Sequence, residues 1–155
     1  MNATSELLGG HRLFAGFPPG LLAELAARSH VQELETDDVL FRSGEPAERF
    51  YLVQRGRIAL DVVGHGGAPL TVDSYGPGSL VGLSWLVPPY VWYLDARATE
   101  PTTVLSLDAV FVRQSCDDDP RLGYLLLQRV THDLYERMQS ARVRLLDVYG
   151  SAGAR

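Results

Sequence analysis

Four histidines, one cysteine and a run of three aspartates are the residues of this chain that could hold a metal or do acid–base chemistry. His11, His30, His65 and His132 fall in an N-terminal segment, at a helix end, in a glycine-flanked turn and in a C-terminal helical stretch. A β-helix metal enzyme would need a His-x-His and an acid on neighbouring strands, and no such pattern occurs. Cys116 precedes Asp117, Asp118 and Asp119. Those carboxylates disfavour a thiolate, whereas a helix N-terminus favours one, so the two effects oppose each other. A single cysteine also excludes an internal disulfide and any multi-thiolate metal site. Ser84 has no histidine near it in sequence. No catalytic residue, metal site or cofactor is expected, and the three aspartates read as a solvated helix cap.

The segment with most character is Ser74 to Leu94, which carries no charge. Gly76, Pro77, Gly78, Gly82, Pro88 and Pro89 prevent it from running as one helix, so it is not a membrane span. It is rich instead in Trp85, Leu86, Tyr90, Trp92 and Tyr93. Two readings stay open: core that fills its own space, or a pocket or surface for a small apolar ligand or a protein partner.

The elements around it follow from periodicity. Residues 1–10 read as an N-terminal arm. Phe17-Pro18-Pro19-Gly20 opens a short helix over Leu21–Arg28, with Leu21, Leu22 and Leu25 on one face. Strand patterns run through 31–108, including Val39 and Phe41, then Phe50 and Leu52. In Arg57–Val62 the alternation points Ile58, Leu60 and Val62 inward and Arg57, Ala59 and Asp61 outward. Gly64-His65-Gly66-Gly67 reads as a hairpin loop, after which Leu70 and Val72 resume the inward face. Asp119 is a suitable N-cap with Pro120 at the first helical position. From there Leu122, Leu126, Val130, Leu134, Met138, Ala141, Leu145 and Val148 recur at spacings of three and four, which predicts one long helix over 119–149. Gly150 would end it, leaving 150–155 as a tail. Leu134, Met138, Ala141, Leu145 and Val148 form a short heptad-like seam, the pattern of a parallel homodimer.

The totals bound the function. One domain is expected from 155 residues. The net charge of −5 argues against nucleic acid as the main partner. No secretion signal is visible at the N-terminus, and a cytoplasmic location is expected. All fourteen basic residues are arginine, and none lies between Arg57 and Arg97.

Asp38 to Val53, with its Ser43-Gly44-Glu45-Pro46 turn, followed by Gln54-Arg55-Gly56-Arg57-Ile58, resembles the early strands of cyclic nucleotide-binding domains of the Crp/Fnr sensor type. The likeness runs over about residues 11–149 and includes the closing helix. It implies a mainly β fold: a jelly-roll-like β-roll over 31–108, a short N-terminal helix and a long C-terminal one. Ser84 to Tyr90 followed by Asp95 to Ala98 is similar to a subgroup of small stand-alone bacterial members.

In that family a Gly-Glu pair opens the phosphate-binding cassette, the Glu holds the ribose, and an Arg pairs with the cyclic phosphate. Gly82 matches the glycine. Leu83 stands for the Glu, Trp92 for the Arg and Tyr93 for the small residue after it. Gly82, Leu83, Ser84, Trp85, Trp92 and Tyr93 are therefore the candidate ligand site, in a cassette that has lost the groups for cAMP or cGMP. A buried phosphate without a cation loses several kcal/mol to desolvation. Some members sense gases through haem on a histidine, a role not expected for His65 or His132. The helix-turn-helix that follows the long helix in full-length regulators has no counterpart here, so no DNA binding by the chain alone is expected. What remains is a non-catalytic sensor module, or else an accessory subunit that docks its roll and helix on an enzyme complex.

Overall fold

The computed structural model describes residues 2–62, 64 and 66–153. Helices α1 (Ala3–Gly10) and α2 (Pro19–Ala27) precede strands β1 (His30–Leu34), β2 (Val39–Phe41), β3 (Arg49–Arg55), β4 (Ile58–Val62), β5 (Leu70–Tyr75), β6 (Asp95–Ala98) and β7 (Thr102–Asp108). Helices α3 (Ala109–Asp118) and α4 (Pro120–Ala152) close the chain. The strands form two antiparallel sheets, ordered β1-β7-β3 and β2-β6-β4-β5. This is the β-roll with flanking helices that the resemblance implied.

The core lies between the sheets and under the helices, with Phe14, Phe50, Leu52, Ile58, Trp85, Leu105, Leu107 and Leu126 all fully buried. On α4, Leu122, Leu126 and Val130 are buried against the rest of the domain. Beyond Val130 the helix runs largely into solvent.

Several local expectations need correction. The segment read as an arm is helix α1. The Asn2 side chain caps it by accepting the Ser5 N–H at 2.8 Å, and its Leu8 is fully buried. Helix α3 lies where no element was expected. Its cap is Asp108, which accepts the Phe111 N–H at 2.9 Å. Asp117 and Asp118 thus form the last turn of α3, and Asp119 alone caps α4, accepting the Arg121 N–H at 3.1 Å. Helix α4 passes through Gly150 to Ala152, so the tail is shorter than read. A Cβ at Gly150 would meet only open space, and a glycine whose neighbours keep helical φ/ψ only weakens a helix.

The strand alternation also fails in two places. Ala59 and Asp61 are buried while Val62, Leu70 and Val72 are exposed. Strand β4 is interior to its sheet, and the β4–β5 register shifts between Leu60 and Asp61. The extra residue is Val72 on β5, since Leu60 pairs with Asp73 and Asp61 with Thr71, while β4 keeps an unbroken register with β6. Asp61 stays on the face opposite Leu60 and is covered there by Arg97 and Thr71. The reading of His65 as a turn residue lies outside the described residues.

Candidate functional site

Segment 80–94 crosses the roll as a loop, and local forces fix its path. Gly82 has φ +71°, and a Cβ there would stand 2.8 Å from Trp92 Cζ3. Only glycine lets the backbone pass so close to the indole. Trp92 stacks on Phe41 with ring centroids 3.8 Å apart and planes 9° from parallel. It is 4% exposed and fills the core beside β2. The segment is pinned to the turn before β3 by Gly44 N–H to the Trp92 carbonyl (2.7 Å), Trp92 N–H to the Glu45 carbonyl (3.0 Å) and Ala47 N–H to the Tyr90 carbonyl (2.7 Å). Helix α3 holds it from the far side. Arg113 donates to the carbonyls of Trp85 (2.6 Å) and Ala47 (3.1 Å), with its guanidinium 4.1 Å above the Tyr90 ring.

Between this segment, the β2-β6-β4-β5 sheet and α4 lies an open cavity of about 340 Å³. Gly82, Leu83, Ser84, Trp92 and Tyr93 all line it. Five of the six candidate ligand residues therefore surround one space. Trp85 does not join them: it is fully buried, stacked on Phe50 at 4.0 Å, and its indole Nε1 has no partner among the described residues. Tyr93 stands at the rim, 68% exposed. Trp92 has taken up core volume, yet space remains beside it.

The rest of the lining was not legible in the segment itself. Phe41, Leu60 and Leu94 complete the apolar wall, Leu134 and Met138 come from α4, and Asp73, Tyr75 and Arg137 form a polar end. The signal for the α4 residues lay in their spacing: positions 134, 137 and 138 share one helical face. Neither Arg57 nor Arg97 reaches the cavity. Arg57 donates to Ser74 Oγ at 2.9 Å, and Arg97 to Asp61 and Asp37 at 2.9 and 3.0 Å. Among the described residues, Arg137 is the one cation of the lining, and its charge is engaged. It donates to the Leu80 carbonyl (2.6 Å) and to Tyr75 Oη (3.0 Å), and lies 2.7 Å from Asp133 Oδ2. Tyr75 in turn donates to Asp73 Oδ2 at 2.7 Å. Burial, with the Asp73 carboxylate adding to it against the pull of Arg137, holds the Tyr75 phenol well above its ordinary titration range.

The other candidates stay apart. His132 pairs with Glu136 at 3.1 Å on the exposed side of α4, and His11 Nε2 lies 2.9 Å from the Gly78 carbonyl. Burial, then Asp117 and Asp119, pushes the Cys116 thiol up, which leaves it a weak nucleophile. No group of histidine, cysteine and acidic side chains suited to a metal occurs among the described residues. Nor, among them, is any helix long and apolar enough to cross a membrane. Of the seam residues, Leu134, Met138, Leu145 and Val148 are exposed and Ala141 is half-buried. Leu127, Tyr135 and Tyr149 extend the exposed apolar stripe on the same helix.

Comparison with known proteins agrees with this geometry. The fold matches a candidate cyclic nucleotide-binding protein of Geobacter metallireducens GS-15 with a TM-score of 0.76 and 27% identity, covering 89% of this chain and 99% of that one. It also matches the sensor domain of the transcriptional regulator DNR from Pseudomonas aeruginosa, with a TM-score of 0.74, 23% identity and coverage of 87% and 91%. A third match is the N-terminal domain of a transcriptional regulator from Streptomyces coelicolor A3(2), with a TM-score of 0.64, 25% identity and coverage of 86% and 94%. No curated protein matches the sequence. The description "Cyclic nucleotide-binding domain" matches residues 31–119, more than half of the sequence, and members of that family are typically regulatory and not catalytic. The fold, the matched residues and the place of the cavity lead to one assignment: this chain belongs to the cyclic nucleotide-binding domain family.

Proposed function

We propose that the chain is a non-catalytic sensor module whose cavity takes a small, largely apolar molecule in place of cAMP or cGMP. The observation that carries this reading is the cavity of about 340 Å³ walled by Phe41, Trp92, Leu134 and Met138, whose one guanidinium is already paired. That volume lies in the range of small-molecule sites. The position of the cassette Glu holds Leu83, and Trp92 lies flat on Phe41 where a phosphate-binding Arg would be needed. A cyclic phosphate entering here would have to pull Arg137 from Asp133 or stay unpaired, and either costs several kcal/mol. The expected result of calorimetric titration with cAMP and with cGMP is no binding tighter than about millimolar, roughly −4 kcal/mol. A micromolar dissociation constant for either nucleotide overturns the proposal.

The module works as a homodimer in this reading, through Leu134, Met138, Ala141, Leu145 and Val148. A seam with heptad-like spacing is self-complementary, so a second copy of the same helix fits it. Leu134 and Met138 belong to both the seam and the cavity wall, which gives ligand and dimer a shared boundary. The accessory-subunit reading draws on the same exposed helix face and predicts a monomer that co-purifies with a fixed partner.

A further inference from the structure

The polar end of the cavity carries information about its occupant. Three charged side chains with little exposure meet there: Arg137 at 17%, Asp133 at 13% and Asp73 at 28%. Two carboxylates thus stand against one guanidinium. The nearby cations do little to change that balance. Arg12 reaches Asp133 at 2.7 Å but is 62% exposed, and Arg144 stays 3.8 Å from Asp73 and is 54% exposed. Charges so open to water are strongly screened, while those at the cavity wall are screened less. Arg137 is turned to Asp133, the Leu80 carbonyl and Tyr75 Oη. Asp73 is the lining carboxylate. Its Oδ2 accepts from Tyr75 Oη and its Oδ1 from the Ser74 N–H, one protein donor for each oxygen. A carboxylate oxygen has room for a second donor.

We infer that the occupant of this cavity is an amphipathic amine: an apolar ring against the Phe41–Trp92 wall, and an ammonium or N–H head donating to Asp73. The inference rests on the reading of the cavity as a ligand site and adds the chemical class. An ammonium head replaces water at Asp73 with a charge-assisted hydrogen bond. A carboxylate head at the same point faces Asp73 across a low-dielectric wall and is repelled.

The test uses three probes with one ring and different heads: phenethylamine, phenethyl alcohol and phenylacetate. Binding is read by tryptophan emission, since Trp92 lines the cavity, and by the shift in melting temperature. For the unaltered protein, phenethylamine should bind more than about tenfold tighter than phenylacetate, with the alcohol between them. In Asp73→Asn, which keeps an acceptor for Tyr75, the amine should lose its advantage and fall to within about threefold of the alcohol. Tighter binding of phenylacetate than of phenethylamine overturns the inference while leaving the cavity a ligand site. So does an amine preference that survives Asp73→Asn. Failure of all three probes to change emission or melting removes the ligand-site reading, and this inference with it.

Discussion

At Gly56 the backbone φ is +88°, and a Cβ would collide with Thr102 Oγ1 and come within 2.6 Å of Thr102 Cα. The glycine therefore meets two demands, a left-handed turn before β4 and close passage of the strand that starts at Thr102. Left-handed φ costs an L-residue about 1–2 kcal/mol, and the crowding adds about 1–3 kcal/mol. Gly56→Ala should lose about 3 kcal/mol of unfolding free energy in urea titration. Gly44→Ala, at φ +93° with open space around it, should lose only the first part, about 1–2 kcal/mol. Gly56 was legible in sequence as the glycine of the Gln54–Ile58 turn. The partner that closes over it was not, because Thr102 arrives from a distant strand. Tyr75 offers a second test at this scale. Its phenol is held protonated by burial, so the folded state keeps a proton that the unfolded chain releases near pH 10. Stability from this group is fully present below about pH 10 and falls as pH rises beyond it. Tyr75→Phe should lose less stability than the parent when melting temperatures are compared between about pH 9 and 11.

Within the β2-β6-β4-β5 sheet, the Asp61 side chain is 2% exposed and is held by Arg97 Nε at 2.9 Å and Thr71 Oγ1 at 2.7 Å. Arg97 links it onward to Asp37, which has a left-handed φ of 73°. Two strands and a turn are thus joined through one guanidinium, and Thr71 ties a third strand to them through Asp61. Arg97→Ala strands a buried carboxylate. Breaking a buried pair costs about 3–5 kcal/mol, and because Arg97 is partly solvated the loss should fall near 2–3 kcal/mol in urea titration. Thr71→Val removes a neutral donor and should cost about 1 kcal/mol. A loss for Arg97→Ala no larger than that for Thr71→Val would show the ion pair to be ornamental. Alternation could not reveal Asp61 as a buried acid, because it gives only the face a side chain takes, and the Arg97 and Thr71 side chains that cover Asp61 on that face come from neighbouring strands. Helices α1 and α3 escaped for another reason. Each is short and polar in part, so an apolar period is hard to see, while their Asn2 and Asp108 caps were signals open to reading. The long helix was legible because its apolar period persists over many turns.

Over the whole molecule, one helix passes through three surroundings. The first turns of α4 bury Leu122, Leu126 and Val130 in the domain core. The next turns supply Leu134, Arg137 and Met138 to the cavity, and the last turns lie in solvent with Leu145, Leu146, Val148 and Tyr149 exposed. Sequence spacing gave the stripe without saying where the domain stops covering it; the answer depends on where the roll ends in space. An exposed apolar stripe along a helix is costly to leave in water, at about 25 cal/mol per Å², and in the proposed homodimer a second copy would cover it on both chains at once. Leu145 tests this best, because it lies on the seam, is 56% exposed and is not among the residues that line the candidate cavity. Leu145→Glu should leave the melting curve of the domain itself little changed while shifting sedimentation equilibrium from dimer to monomer at micromolar concentration. Two like charges placed opposite each other at one seam position are unfavourable, so the dissociation constant should rise by at least about a hundredfold, or roughly 2.7 kcal/mol. A parent protein that sediments as a monomer at micromolar concentration, or a variant that stays dimeric, would assign that helix face to some other partner.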